Sequence, residues 1–235
     1  MEHMTQPGRV AEQYRDESRL QTRRSVWRNS ADGRNPQDSA AAAVRAASPA
    51  RILEVGCGTG VFAARLAAEN PHATVTATDL SERFVALTAE RGVGAQRADV
   101  QELPFPDGYA DVVVAMWMLY HVPDLDQGLR EIRRVLRPGG TFVAVTNGDA
   151  HLAGLLRAAG GEPLVTQFSA ENGAAVLRRH FGEVTQEHIT TRAQFDDHAQ
   201  AVAYLASFDE ALANRLPPFD GVLEDAGSTA VFVAR

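Results

Sequence analysis

Lysine is missing from this 235-residue chain; all 23 basic residues are arginine. That excludes the P-loop lysine of nucleotide hydrolases, a Schiff base with a carbonyl or pyridoxal phosphate, and a Ser–Lys nucleophilic pair. Cysteine occurs once, at Cys57, which excludes a disulfide framework and Cys-rich zinc or iron–sulfur sites, and no metal site is expected. Long apolar runs are absent too. The longest, 112–120, has nine residues, against the roughly 20 that span a bilayer. Positive charge is scarce: the net charge is −7, and no dense basic stripe offers itself to a phosphate backbone, so a nucleic-acid partner is not expected. The chemistry left open is one in which a bound cofactor brings the reactive group.

What is present is an ordinary globular balance, with 45% hydrophobic and 23% charged residues, enough to bury a substantial core. Charge is uneven along the chain. Residues 1–34 hold seven Arg against five acidic residues, a local balance of +2, and the rest holds sixteen against twenty-five, or −9. This arm suits an anionic small molecule or a cofactor carboxylate; a solvated helix face explains it equally well. The polar N-terminus shows no secretory pattern, and with one cysteine the expected location is the cytoplasm.

Patterning predicts a polar helix over 9–30, a loop over 30–38 and an Ala-rich helix over 39–47. Then strands and helices alternate. Strands are expected at 51–55, 73–78, 93–98, 112–116 and 141–146, and helices at 61–69, 81–91 and 125–136. Ser81 and Asp124 are the expected N-caps. In the last helix Leu125, Leu129, Ile132, Val135 and Leu136 form one stripe at a 3.6-residue period. Residues 151–180 and 198–213 read as helical, 183–192 and 228–235 as strands. Strands alternating with helices indicate βαβ units, hence an α/β fold with a mostly parallel sheet covered on both faces. The last two strands are expected to be antiparallel at a sheet edge.

The strand at 51–55 runs into Gly56-Cys57-Gly58-Thr59-Gly60 and a helix. Glycine there permits positive φ and close approach of backbone to a ligand, and the free N–H groups of the helix start meet an electronegative group. A dinucleotide turn places its third glycine one position later, where this chain has Val61. The spacing therefore points to a nucleoside without a diphosphate. Asp79 ends the second strand, placed to accept from two ribose hydroxyls; Asp99-Val100 follows the third, placed to read an adenine edge. Each Asp alone reads as a cap or turn residue. Together, at the carboxyl ends of consecutive strands, they mark the crevice where open α/β sheets bind ligands.

The series LEVGCGTG (53–60), ATDLS (77–81), the Asp99 turn, LPFPDGYADVVVAMWMLYHVPD (103–124) and LRPGG (136–140) resembles the class I S-adenosylmethionine-dependent methyltransferases. The likeness is to the small-molecule type, similar to quinone-biosynthesis and antibiotic-tailoring enzymes. It covers roughly residues 50–147 and implies a Rossmann-like seven-stranded sheet with an antiparallel edge strand. It also implies an N-terminal helical lid over 1–38, a methyltransferase domain over 39–235, and helical insertions near 148–180 and 196–215 beside the substrate pocket. S-adenosyl-L-methionine is the implied cofactor. Glu54, Gly56, Cys57 and Gly58 would line its methionine part, Asp79 its ribose, Leu80, Asp99 and Val100 its adenine, and backbone at Met116-Trp117 its sulfonium. By position, Tyr14 and Arg23 or Arg28 would cover it.

The implied activity is methyl transfer to an O, N or C atom of a small metabolite, as in natural-product biosynthesis, by a monomer or homodimer that needs neither membrane nor nucleic acid. His121, just past the fourth strand, is the candidate general base; a lining role is the other reading. Trp27, Tyr120, Asn147 and His151 are candidates for the acceptor pocket. Two other functions stay open: a noncatalytic S-adenosylmethionine-binding protein, and a NAD(P)-dependent oxidoreductase, against which Val61 speaks.

Overall fold

Alternation along the central strands decides how the sheet is covered. In strand β2 (Arg51–Val55), Ile52 faces one core and Leu53 and Val55 the other. In β5 (Ala110–Met116), Val112 and Val114 join Ile52, while Val113 and Ala115 join Leu53. A strand buried on both faces needs helices on both sides. The computed structural model describes residues 22–23, 25–28, 30 and 32–235, and supplies them. Helices α1 (Pro36–Ala46) and α2 (Val61–Glu69) pack on the Ile52 face. Helix α4 (Leu125–Val135) packs on the Leu53 face. Between α2 and α4 the chain forms β3 (Thr74–Asp79), α3 (Glu82–Glu90) and β4 (Gly94–Arg97).

The expected apolar stripe of α4 is what the core receives: Leu125, Leu129, Ile132 and Val135 are buried, and Leu136 is buried as the first residue of β6 (Leu136–Asn147). Asp124 caps α4 by accepting from the Gln127 N–H at 2.9 Å. We expect Asp124→Ala to lower stability by about 1 kcal/mol. Thermal denaturation showing no change would remove the cap from the account.

The chain continues through α5 (Ala153–Ala158), α6 (Gly173–Leu177), β7 (Val184–Phe195), α7 (His198–Ala206), α8 (Glu210–Ala213) and β8 (Leu223–Ala234). Among the described residues the sheet has eight strands, in the order β1-β7-β8-β6-β5-β2-β3-β4. Strands β4, β3, β2, β5 and β6 are parallel, and β8 joins β6 antiparallel, with β7 antiparallel to β8. The expected seven-strand arrangement is therefore present. The eighth strand is β1, Trp27–Arg28, paired antiparallel with β7 through Ala193 and Arg192. It lies where a helix is expected over 9–30, because two residues carry no periodicity to announce them and the open edge of β7 supplies the bonds.

Three other differences have local causes. Helix α1 begins at Pro36, earlier than expected, because Asn35 accepts from the Gln37 N–H and proline suits a first helical turn. The helix read over 151–180 breaks into α5 and α6, since Gly160 takes φ +69 and Pro163 follows. The helix read over 198–213 breaks after α7, and Asp209 starts α8 by accepting from the N–H groups of Ala211 and Leu212. No helix among the described residues is long and apolar enough to cross a membrane.

Candidate active site

The turn from β2 into α2 is held by its own backbone and by one carboxylate. Gly56, Gly58 and Gly60 all have positive φ (+67, +54 and +72). The Cys57 N–H donates to the Thr78 carbonyl at 2.9 Å, fastening the turn to β3. Asp79 then closes it: Oδ2 accepts from the Gly58 N–H and Oδ1 from the Ser81 N–H, each at 2.9 Å. Burial raises the Asp79 carboxyl above its ordinary value, and the backbone donors of Ser81, Gly58 and Leu80 oppose the shift. One side chain thus ties the glycine turn to the start of α3 and keeps lone pairs for a ligand.

The three glycines do different work. A Cβ on Gly58 would meet nothing within 4 Å, so this glycine borders open space at the carboxyl edge of β2. A Cβ on Gly56 would come 2.8 Å from Met118 Cγ, so its bareness makes room for Met118 rather than for a ligand. A Cβ on Gly60 would strike the backbone of Thr88 in α3. Cys57 turns inward, its Sγ 3.3 Å from Thr88 Oγ1, and burial pushes its thiol up to about 12. It is a packed residue, not a nucleophile.

Around this turn lie the other expected cofactor residues. Glu54 is buried at the end of β2 (1% exposed). Leu80 is 52% exposed beside Asp79, an uncovered apolar surface at the mouth of the crevice. Asp99 is half-buried after β4, where it accepts from the Gln101 backbone and side-chain amides, and Val100 packs into the core. The open cradle at Gly58, a carboxylate with spare lone pairs and an apolar platform beside it fit a nucleoside; β5 and β6 lie on the other side of β2.

On that side, Met116 ends β5, and Trp117 follows with φ +53. A left-handed backbone is rare for a bulky residue and persists only where the surroundings impose it. Here the Trp117 N–H donates to the Val145 carbonyl at 2.8 Å and its Nε1–H to Asn147 Oδ1 at 2.9 Å. The structure thus joins two residues 30 positions apart, both expected at the site. Thr229 Oγ1 approaches the same Asn147 oxygen at 3.5 Å. His121 ends a 3-10 turn (Leu119–His121), half-buried, its ring centroid 4.4 Å from that of Tyr120. Gln167 fastens this turn by donating to the Val122 carbonyl at 2.6 Å.

Further along the sheet, the Trp27 and His151 rings meet at a tilt of 35°, centroids 4.7 Å apart. His151 Nδ1 lies 3.0 Å from the Ser228 carbonyl oxygen. Tyr204 of α7 meets Trp27 edge-on at 6.5 Å, and the charge of Arg23 acts on its phenol. The exposed Arg28 is engaged with the Ser25 and Trp27 carbonyls. Tyr14 lies outside the described residues. Met118, Gln167, Tyr204, Ser228 and Thr229 are neighbours of the site that no local pattern announced, since each arrives through a long-range contact. Gly227 alone left a trace, as a glycine inside a strand pattern. Among the described residues no cluster of His, Cys, Asp and Glu has the makings of a metal site. A polar cleft of about 470 Å³ between Pro123, Asp126, Gln167 and Arg179 shares only Gln167 with the residues above.

Residues 53–144 match the model of a family described as a methyltransferase domain. The chain is 33% identical over 191 residues to malonyl-[acyl-carrier protein] O-methyltransferase of Geobacter sulfurreducens, which covers 74% of this chain and 70% of that protein. It is 41% identical over 98 residues to 27-O-demethylrifamycin SV methyltransferase of Amycolatopsis mediterranei. That match covers 38% of this chain and only about a third of the relative's length (36%). The crystal structure of the [4+2]-cyclase SpnF shares the fold, with a TM-score of 0.67 at 23% identity over 99% of this chain and 96% of that one.

Proposed function

This chain belongs to the class I S-adenosylmethionine-dependent methyltransferases, and from that premise we propose that it transfers a methyl group to an O, N or C atom of a small metabolite. The observation that carries the reading is the Asp79 carboxylate, which braces the glycine turn beside the open cradle of Gly58. The relatives' printed names, a rifamycin methyltransferase and a malonyl-carrier methyltransferase, support a biosynthetic acceptor bearing a hydroxyl or carboxyl.

The cofactor supplies an electrophilic methyl on a positively charged sulfur. What remains for the chain is placement. Glu54 and Gly58 would hold the methionine portion, with Gly56 and Cys57 shaping the turn behind it; Asp79 would hold the ribose hydroxyls, and Leu80, Asp99 and Val100 would border the adenine. Backbone at Met116-Trp117 faces the reacting end, and Trp27, Tyr120, Asn147 and His151 line the acceptor side. Arg23, ahead of β1 in the chain, is the described residue proposed to cover the cofactor. Alignment of the attacking atom with the breaking bond, with water kept out, supplies roughly 7–11 kcal/mol. That work needs no amine side chain, which suits a protein with no lysine.

Calorimetry with S-adenosylmethionine, followed by transfer of labelled methyl to hydroxyl, amine and carboxyl acceptors, tests the reading. Binding without transfer to any acceptor class overturns it in favour of a noncatalytic binder. Within it, His121→Ala is expected to slow turnover several-fold with cofactor affinity unchanged. Unaltered turnover assigns His121 a structural role.

A further inference from the structure

We propose that His151 accepts the proton of a hydroxyl-bearing methyl acceptor, and that Trp27 is the positioning residue that orients its ring. The inference rests on the methyltransferase reading above and narrows the acceptor class to one that loses a proton on transfer.

Tautomer comes first. A carbonyl oxygen only accepts, so the 3.0 Å contact between His151 Nδ1 and the Ser228 carbonyl requires the proton on Nδ1. In the neutral ring Nε2 then carries the lone pair. Burial keeps the ring neutral, lowering its pKa to about 4, while the Ser228 carbonyl and the Asp225 carboxylate favour the cation. A neutral ring with one nitrogen anchored is oriented to receive a hydrogen bond at the other.

The anchoring is built from three separate parts of the chain. The turn after β6 folds back through the His151 N–H to the Gly148 carbonyl (3.0 Å). It ends at Leu152, whose φ of +54 is unusual for a leucine. Edge strand β1 brings Trp27 onto the imidazole face. Gly227 admits the indole: a Cβ there would lie 2.4 Å from Trp27 Cζ3. So the same stretch of β8 seats Trp27 at Gly227 and holds His151 at Ser228.

Its place along the sheet gives the ring its role. Trp117 donates to Asn147, Thr229 approaches the same oxygen, and Ser228 next to Thr229 holds His151. These residues form a row at the carboxyl edge of β5 and β6 and the part of antiparallel β8 that pairs with it, starting at the backbone expected to face the sulfonium. In the step, the hydroxyl oxygen forms a bond to the methyl carbon, and the carbon–sulfur bonding pair returns to sulfur, leaving a neutral thioether. The hydroxyl proton passes to Nε2, and the imidazolium faces Asp225 until the proton reaches solvent. A carboxylate acceptor has no proton to pass and does not need His151.

The experiment uses 2-naphthol and 2-naphthoate as planar probes with the full-length protein. Nitrogen-15 imidazole spectra of the protein without cofactor are expected to show His151 as the Nδ1–H tautomer, with its Nε2 line moving on addition of 2-naphthol. His151→Asn keeps a donor toward Ser228 and lacks Nε2. It is expected to lower kcat for labelled-methyl transfer to 2-naphthol at least tenfold with KM within threefold, and to lower transfer to 2-naphthoate by a clearly smaller factor. Added imidazole is expected to restore the rate of His151→Ala. For Trp27→Leu the expectation is a tenfold or smaller loss of kcat, reversed in part by Trp27→Phe. An Nε2–H tautomer, wild-type rates in His151→Asn, or equal losses on both probes would overturn the proposal. A wild-type protein that transfers methyl to neither probe nor to any other acceptor fails the methyltransferase reading instead, and the imidazole spectra then decide His151 separately.

Discussion

Asp79→Ala is expected to weaken S-adenosylmethionine binding by a factor of at least about 100. This carboxylate already accepts the backbone N–H groups of Gly58 and Ser81, with Leu80 as a further backbone donor, and the ribose reading adds two hydroxyl donors. Two hydrogen bonds to a charged acceptor contribute about 1.5–3 kcal/mol each, and about 1.4 kcal/mol is tenfold in affinity. Alanine removes both ligand bonds and also releases the brace on the turn, so the loss exceeds what a ribose contact alone explains. Asp79→Asn separates the two effects: it keeps one acceptor oxygen for the brace and is expected to fall between alanine and wild type. Because burial raises this carboxyl above its ordinary value, affinity is expected to decline as the pH falls into the carboxylate range, earlier than for an exposed aspartate. Calorimetry on a variant with native circular dichroism is the measurement. A change below threefold would sink the ribose assignment.

The second large effect is expected in stability, at Gly60. Its φ of +72 costs an L side chain about 1–2 kcal/mol, and a Cβ would lie 2.7 Å from the Cα of Thr88. Thr88 is buried and approaches both Cys57 Sγ and the Gly58 carbonyl, so α3 cannot back away without undoing the turn. Overpacking of this kind costs a further ~1–3 kcal/mol. Gly60→Ala is therefore expected to destabilise by about 3 kcal/mol, roughly 6–12 °C in melting temperature for a chain of this size. Gly58→Ala is the informative contrast. It carries the same left-handed backbone cost, but its Cβ points into open space, so its stability loss is expected to stay near 1–2 kcal/mol while cofactor affinity falls, because the methyl group occupies the cradle. Equal melting temperatures for the two variants, or unchanged affinity in Gly58→Ala, would contradict this division of labour.

Much of the cofactor half was legible residue by residue because its determinants are local. A strand that ends in spaced glycines must turn there, and an aspartate at the end of the next strand must lie beside that turn once the strands are parallel neighbours. Period alone located α4 and its buried stripe, and Asp124 and Ser81 marked their helix starts. The acceptor half was legible only in part. Asn147 and His151 are candidates from the sequence, but nothing in the sequence says that Trp117 takes a left-handed backbone, since that conformation is imposed by Val145 and Asn147 on the neighbouring strand.

The absence of lysine, the single cysteine and the glycine and aspartate spacing were enough to exclude amine chemistry, disulfides and Cys-rich metal sites and to point to a nucleoside cofactor on a parallel sheet. Those conclusions follow from side-chain chemistry and from periodicities of two and 3.6 residues, which are properties of short segments. Two things needed the assembled fold: the edge strand at Trp27–Arg28 and the tautomer of His151. Each depends on a partner far along the chain, a sheet edge or a carbonyl 77 residues away. A local pattern cannot specify a hydrogen bond or a packing seat whose other half it does not contain.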